Sequence, residues 1–166
     1  MGFRFAHLSD CHIGGWREPE LTDLSIKGFV TAMTLCMERK VDFILIAGDL
    51  FNTSLPVFEA LKEVARILRI VREKGIRVYL IPGSHDYSPS GKTMIDVLEN
   101  AGLCANVYRV KDNVLQFTVD EPTGVKLTGV VGLKGGLETF AYKGLQHDRL
   151  ERESGFKIFL FHSQID

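Results

Sequence analysis

The sequence predicts an α/β fold: a sandwich of sheets that face each other, with helices outside. Three observations predict it. Residues 41–47 (VDFILIA) are almost continuously apolar, as a strand covered on both faces must be. Segments with a helical apolar period lie on either side of that run. In the second half the period shortens to that of strands, interrupted by turn residues. At 166 residues the chain is one domain in size, with room for one sizeable core. No stretch reads as a linker, so residues 1–166 are taken as a single unit.

Residues 3–9 read as the first strand. His7 within it is assigned to packing or support rather than to ligation, because histidines are often partly buried without a chemical task. A polar loop over 14–22 contains Trp16 and Pro19. Asp23 suits a helix cap, and Ile26, Phe29, Val30, Met33 and Met37 then keep helical spacing. Followed by the strand at 41–47, this makes a βαβ unit. Ser54 and Pro56 announce a second helix, since proline is favoured in a first turn. Its apolar face carries Val57, Leu61, Val64, Leu68 and Val71, and Gly75 ends it. Residues 77–81 form a third strand. A short helix from about Lys92 to Asn100 stops at Gly102. Short strands are expected at 107–110, 114–119 and 125–131, the last two joined by a polar turn. Residues 142–153 read as a polar helix, and 157–161 (KIFLF) as a final buried strand.

Composition excludes little. The net charge of -1 bars no partner and gives no overall attraction for nucleic acid. Lys62, Arg66, Arg69, Arg72, Lys74 and Arg77 crowd one stretch, but Glu59, Glu63 and Glu73 are interleaved, as on a solvated helix face with internal ion pairs. Cys11, Cys36 and Cys104 are odd in number and show no metal or redox spacing. With no secretory signal and no apolar run of membrane-spanning length, the expected setting is the reducing cytoplasm. Ser90-Gly91-Lys92-Thr93 imitates the end of a phosphate-binding loop. The glycine required five positions before Gly91 is Asp86, so the loop is not built.

The chemistry concentrates in four polar clusters, each directly after an apolar run: Asp10-Cys11-His12, Gly48-Asp49, Gly83-Ser84-His85-Asp86 and Phe161-His162. Strand ends bring remote residues to one edge of a sheet. Aspartate and histidine are the donors that borderline-hard cations such as Mn²⁺ accept. On an extended segment Asp10 and His12 share a side and Cys11 points away into packing. A carboxylate can span two cations, which makes Asp49 the natural bridge. Two cations about 4 Å apart can bind a phosphodiester, activate water and stabilise the attacking and leaving oxygens.

Taken in order, Ser9-Asp10-Cys11-His12, Ala47-Gly48-Asp49-Leu50, Pro82-Gly83-Ser84-His85-Asp86 and Phe161-His162 resemble the motif series of calcineurin-like metallophosphoesterases. Within that superfamily the chain is most similar to the double-strand-break repair nuclease subunit of archaea and its bacterial SbcD relatives, as the amino-terminal part of a longer catalytic domain. The resemblance implies a metallophosphoesterase-type β-sandwich, incomplete at the C-terminus, and Mn²⁺-dependent hydrolysis of DNA with two ions per site. It implies that Asp10 and His12 hold the first ion, that Asp49 bridges, and that His162 helps hold the second. His85 would stand near the leaving oxygen, where an imidazole that changes charge near neutral pH is useful. Asp86 would orient His85 or cap the next turn. The implied partners are DNA, a coiled-coil ATPase subunit and a second copy of the chain.

The sequence departs from that pattern at three places. Ser84 stands where the family has an asparagine ligand for the second metal. Its shorter hydroxyl implies weaker occupancy there and slower cleavage. Asn52 stands where near relatives often have histidine. The late GHxH motif, which gives each metal one more histidine, is absent, so the chain reads as a truncated piece with impaired activity. Two other readings of the same residues stay open. One is a phosphoesterase of the same fold acting on small substrates. The other is a DNA-end-binding or structural subunit with a decayed metal site.

Overall fold

Four parallel strands pair in chain order to make the principal sheet: β1 (Phe5–Leu8), β2 (Phe43–Ala47), β3 (Arg77–Ile81) and β4 (Ala105–Asn106). The computed structural model describes residues 2–16, 18–88, 93–137, 142–143 and 148–163. All five residues of β2 are buried, because the sheet is covered on both faces. Ile44, Ile46, Val78 and Leu80 face a core shared with the helices α1 (Pro19–Glu38), α2 (Phe58–Glu73) and α3 (Met94–Asn100). Phe43, Leu45, Tyr79 and Ile81 face the opposite way, onto Val125, Leu127 and Leu160.

Between β4 and the second sheet lies a small hairpin of β5 (Val110–Lys111) and β6 (Val114–Leu115). Its two-residue turn, Asp112-Asn113, has φ of 51° and 63°, the left-handed pair that tight hairpins use. The second sheet contains β7 (Thr118–Asp120), β8 (Val125–Gly129) and β9 (Lys157–Leu160), with β7 antiparallel and β9 parallel to β8. A 3-10 turn (Lys134–Gly136) and helix α4 (Asp148–Arg152) precede β9. The predicted α/β sandwich is therefore present. Among the described residues, α1, α2 and α3 all lie on the outer face of the principal sheet.

A buried carboxylate ties the two sheets together. Asp120 on β7 is fully buried. It accepts a forked pair of 2.8 Å bonds from the Arg77 guanidinium on β3, and further bonds from Tyr79 Oη at 2.7 Å and Thr123 Oγ1 at 2.6 Å. Burial works to raise the Asp120 carboxyl, but Arg77 and the hydroxyl donors win and hold it down at about 2. Arg77 is thus committed to Asp120, while Arg66–Glu63 and Arg69–Glu73 are exposed pairs within α2, as the charge pattern predicts.

Several boundaries differ from expectation. Helix α1 starts five residues early, at Pro19, which supplies the first turn, and Asp23 lies exposed within it. Helix α2 begins after Pro56, with Val57 at its cap and no side-chain capping bond. The strand expected at 107–110 divides. Val107 still donates to Leu80 O at 2.9 Å, whereas Val110 opens the hairpin. The strand expected at 114–119 breaks into β6 and β7 because its ends serve different sheets. Helix α3 starts at Met94, fixed by a reciprocal capping box between Thr93 and Asp96. Residues 89–92, with most of the phosphate-loop imitation, lie outside the described residues. So do 144–147 of the helix expected at 142–153, of which α4 is part. No helix of the described residues is long and apolar enough to cross a membrane.

Candidate metal centre

The loops after β1 and β2 continue to bond to each other beyond the strands. Asp10 N donates to Gly48 O at 3.1 Å, His12 N to Asp49 O at 3.0 Å, and Ile13 N to Leu50 O at 3.1 Å. Asp10, His12 and Asp49 all take positive φ, at 54°, 43° and 52°. This left-handed geometry is uncommon for residues with a side chain and concentrates at functional sites. The Asp10–His12 segment is therefore kinked, not extended as expected, yet the two side chains still converge. Cys11 packs against the helical core. Burial, then the charges of Asp86 and Asp10, push its thiol up to about 12, which keeps it protonated near neutral pH.

Asp86 corrects a second expectation. It neither orients His85 nor caps the following turn. Its buried carboxylate accepts Leu50 N at 3.0 Å, Phe51 N at 2.9 Å and Gly83 N at 3.1 Å. It thereby clamps the loop that carries Asp49 to the loop that carries His85. Glycines make the remaining room. A Cβ on Gly83 would lie 2.1 Å from Asp49 Oδ1 and 2.3 Å from Asp49 N. One on Gly48 would lie 2.5 Å from the His162 ring, and one on Gly132 2.7 Å from His162 Cδ2.

The four segments meet in this space. Asp49 is nearly inaccessible. Its Oδ1 accepts His85 N at 2.9 Å. Its Oδ2 lies 3.6 Å from His12 Nε2 and 3.2 Å from His162 Nε2. The more exposed Asp10 places Oδ1 3.7 Å from His12 Nε2 and 3.9 Å from His162 Nε2. Two triads of donors follow, Asp10/Asp49/His162 and His12/Asp49/His85, each with its atoms within 4.8 Å of one another. They share Asp49. Asp10 is within reach of both His12 and His162, and the nitrogen of His85 belongs with the donor set of His12. Ser84 lines the adjoining cleft beside His85.

The imidazoles are aimed alike. His162 Nδ1 lies 2.8 Å from Ala47 O, His85 Nδ1 2.8 Å from Asn52 O, and His12 Nδ1 3.1 Å from Asn52 Oδ1. A carbonyl can only accept, so the proton of each neutral ring sits on Nδ1. That leaves Nε2 with the lone pair a cation needs. Three such nitrogens and two carboxylates form a donor set suited to divalent cations of the Mn²⁺ and Zn²⁺ kind. Without a cation, the Asp49 hydrogen bond raises the His162 imidazole to about 9, aided by Ala47 O and the charges of Asp49 and Asp10 and opposed by burial. Burial would raise the Asp49 carboxyl, but its bonds to His162 and His85 hold it below the usual carboxylate range.

A cleft of about 1000 Å³ opens beside the centre, lined by Asp10, Ser84, His85 and His162 and by Phe5 and Phe159 of the edge strands. His7 also lines it and is exposed, not in the core. It stands on the outer strand of the sheet, where nothing described covers it.

The model of the calcineurin-like phosphoesterase family matches residues 3–166. The chain belongs to the calcineurin-like phosphoesterase family. Among curated members, the DNA double-strand break repair protein Mre11 of Archaeoglobus fulgidus is 29% identical over 146 residues, 87% of this chain and 32% of that protein. Mre11 of Thermoplasma acidophilum is 26% identical over 172 residues, 96% of this chain and 43% of that one. Mre11 of Aeropyrum pernix is 28% identical over 171 residues, 96% and 41% respectively. The chain thus spans a third to two fifths of the length of these relatives. In fold it resembles TT1561 of Thermus thermophilus, with a TM-score of 0.58 over 97% of this chain and 68% of that one at 19% identity.

For this calcineurin-like phosphoesterase, then, Asp10, His12, Asp49, His85 and His162 stand together, and Ser84 lines the cleft beside them. What sequence reasoning missed is the support: the two oxygens of Asn52, the Ala47 carbonyl and the loop clamp of Asp86. Backbone oxygens carry no residue signature. Asn52 was visible only as a departure from the family pattern.

Proposed function

We propose that the chain is the metal-binding part of an Mn²⁺-dependent phosphodiesterase that hydrolyses DNA in double-strand-break repair. The observation that carries this reading is the buried Asp49 carboxylate shared by two donor triads at the strand ends. Similarity to Mre11 supports DNA as the substrate.

Asp10, Asp49 and His162 would hold one cation, and Asp49 and His12, with Ser84 nearby in the cleft, would face the other. When bound, such cations neutralise the phosphate and make water a stronger nucleophile. In hydrolysis the water oxygen joins phosphorus, the bond to the leaving oxygen breaks, and that oxygen takes a proton. Because His85 Nδ1 is tied to Asn52 O, Nε2 is the atom from which that proton would be delivered. Ser84, with its short reach, supports slower cleavage than an asparagine there would give.

We infer two further partners from the same resemblance: a coiled-coil ATPase subunit and a second copy of the chain. Exposed Leu55, Val57 and Phe58 at the start of α2 support self-association. Three unpaired cysteines favour a cytoplasmic setting. The test is cleavage of single-stranded and hairpin DNA with Mn²⁺, beside an aryl phosphate. DNA cleavage abolished by Asp49→Asn is expected. Turnover of the aryl phosphate alone, or DNA binding without cleavage at any metal concentration, overturns the proposal.

A further inference from the structure

Asn52 touches both histidines of one triad, by two different groups. Its side-chain Oδ1 lies 3.1 Å from His12 Nδ1, and its main-chain oxygen lies 2.8 Å from His85 Nδ1. We propose that Asn52 is a positioning residue whose side-chain oxygen holds His12 as the Nδ1-protonated tautomer, with Nε2 turned to Asp10 and Asp49. The inference deepens the metal-centre reading above and rests on it for its purpose, though not for its test.

Three observations support it. His12 has a strained backbone, at φ 43°, so its ring direction is not set by ordinary chain preferences. Among the described residues, the Asn52 amide is the acceptor placed at its Nδ1. Without that acceptor the ring can protonate at Nε2 and donate toward Asp10 Oδ1 or Asp49 Oδ2, 3.7 and 3.6 Å away. That would cap the nitrogen a cation needs.

The amide itself is seated. Asn52 N donates to Ile13 O at 3.2 Å, next to the Ile13–Phe51 bridge. Gly15 leaves space for the side chain: a Cβ there would lie 3.1 Å from Asn52 Cγ and 3.2 Å from Oδ1. The arrangement is also specific. Any residue at position 52 offers the carbonyl that serves His85, whereas only a side chain with an oxygen at that reach serves His12. The two histidines can therefore be separated by one substitution.

The experiment uses ¹⁵N-histidine-labelled protein, free of metal, at a pH where both rings are neutral. Wild type, Asn52→Leu and Asn52→Asp are compared by the ring-nitrogen shifts that distinguish tautomers. The expected result is Nδ1–H on both rings in wild type. In Asn52→Leu, His12 shifts toward Nε2–H while His85 is unchanged, and Asn52→Asp restores His12. Mn²⁺ titration of the same proteins should show about 10- to 100-fold weaker binding for Asn52→Leu, the usual cost of losing a ligand's supporting bond, and near wild-type binding for Asn52→Asp. An unaltered His12 tautomer in Asn52→Leu overturns the proposal. So does a joint change of His12 and His85, which would mark a displaced loop. Failure of the wild type to cleave DNA, with the tautomers behaving as expected, would instead count against the proposed function alone.

Discussion

Metal binding should release close to one proton, and His162 is its source. In the metal-free centre the Asp49 hydrogen bond raises His162 to about 9, so near neutrality the ring is an imidazolium whose Nε2–H points at Asp49 Oδ2, 3.2 Å away. A cation at Asp10/Asp49/His162 must replace that proton. At pH 7 the competition weakens binding by about 100-fold relative to the deprotonated site. The apparent affinity should climb about tenfold per pH unit between 6 and 8 and level off above 9. The sign for stability is the reverse. The folded imidazole is raised from 6.5 to about 9, so the pair's contribution is fully present below 6.5 and lost as pH rises through about 9. Its ceiling is about 3 kcal/mol. The assay is calorimetric titration with Mn²⁺ in buffers of different ionisation heat, which counts protons directly. An affinity flat from pH 6 to 8, with no proton released, would refute the reasoning, as would a slope that survives in His162→Ala.

Three further outcomes are expected. Gly83→Ala places a methyl against the backbone and carboxylate of Asp49. It should cost about 1–3 kcal/mol of stability and weaken Mn²⁺ binding, both readable from thermal melts with and without metal. Ser84→Asn should tighten occupancy of a second Mn²⁺ and speed phosphodiester cleavage; unchanged stoichiometry and rate would count against a ligand role at this position. Asp120, held at about 2 against an ordinary 3.8, contributes stability that is present above 3.8 and lost as pH falls toward 2. The contribution is about 2 kcal/mol, so Asp120→Asn should flatten the acid limb of the stability profile between those values.

How much of this was legible in the sequence depended on how local each determinant is. The buried parallel strands were clear because β2 and β3 are bare apolar runs, and β3 was placed to the residue. Helix α2 was clear for its periodic face. The β4 to β7 stretch was not, because a chain that passes from one sheet to another stays apolar while it changes partner. Val107 and Val110 look alike in sequence, yet Val107 bonds back to Leu80 of β3 while Val110 opens the hairpin. The site residues were legible as types at strand ends. Their backbone was not, since nothing in Asp-Cys-His announces a left-handed kink that only the neighbouring loop after β2 can hold.

Asp86 shows why motif reading assigns roles to the wrong neighbour. Beside His85 in the chain, it invites a partnership with that ring. In space its carboxylate instead ends the backbone of a different loop, taking the N–H groups of Leu50 and Phe51 along with that of Gly83. A segment turned through positive φ at Asp49 cannot satisfy those N–H groups within its own strand, and buried amides must find acceptors. A short ionisable side chain from the next strand end is a sufficient solution, even though burial raises its carboxyl above the ordinary carboxylate value against the pull of those three donors. The same kink that aims Asp49 at two imidazoles thus creates the need for Asp86. Sequence order hid the connection because cause and remedy sit 37 positions apart, in the loops after strands β2 and β3, which only the parallel sheet makes neighbours.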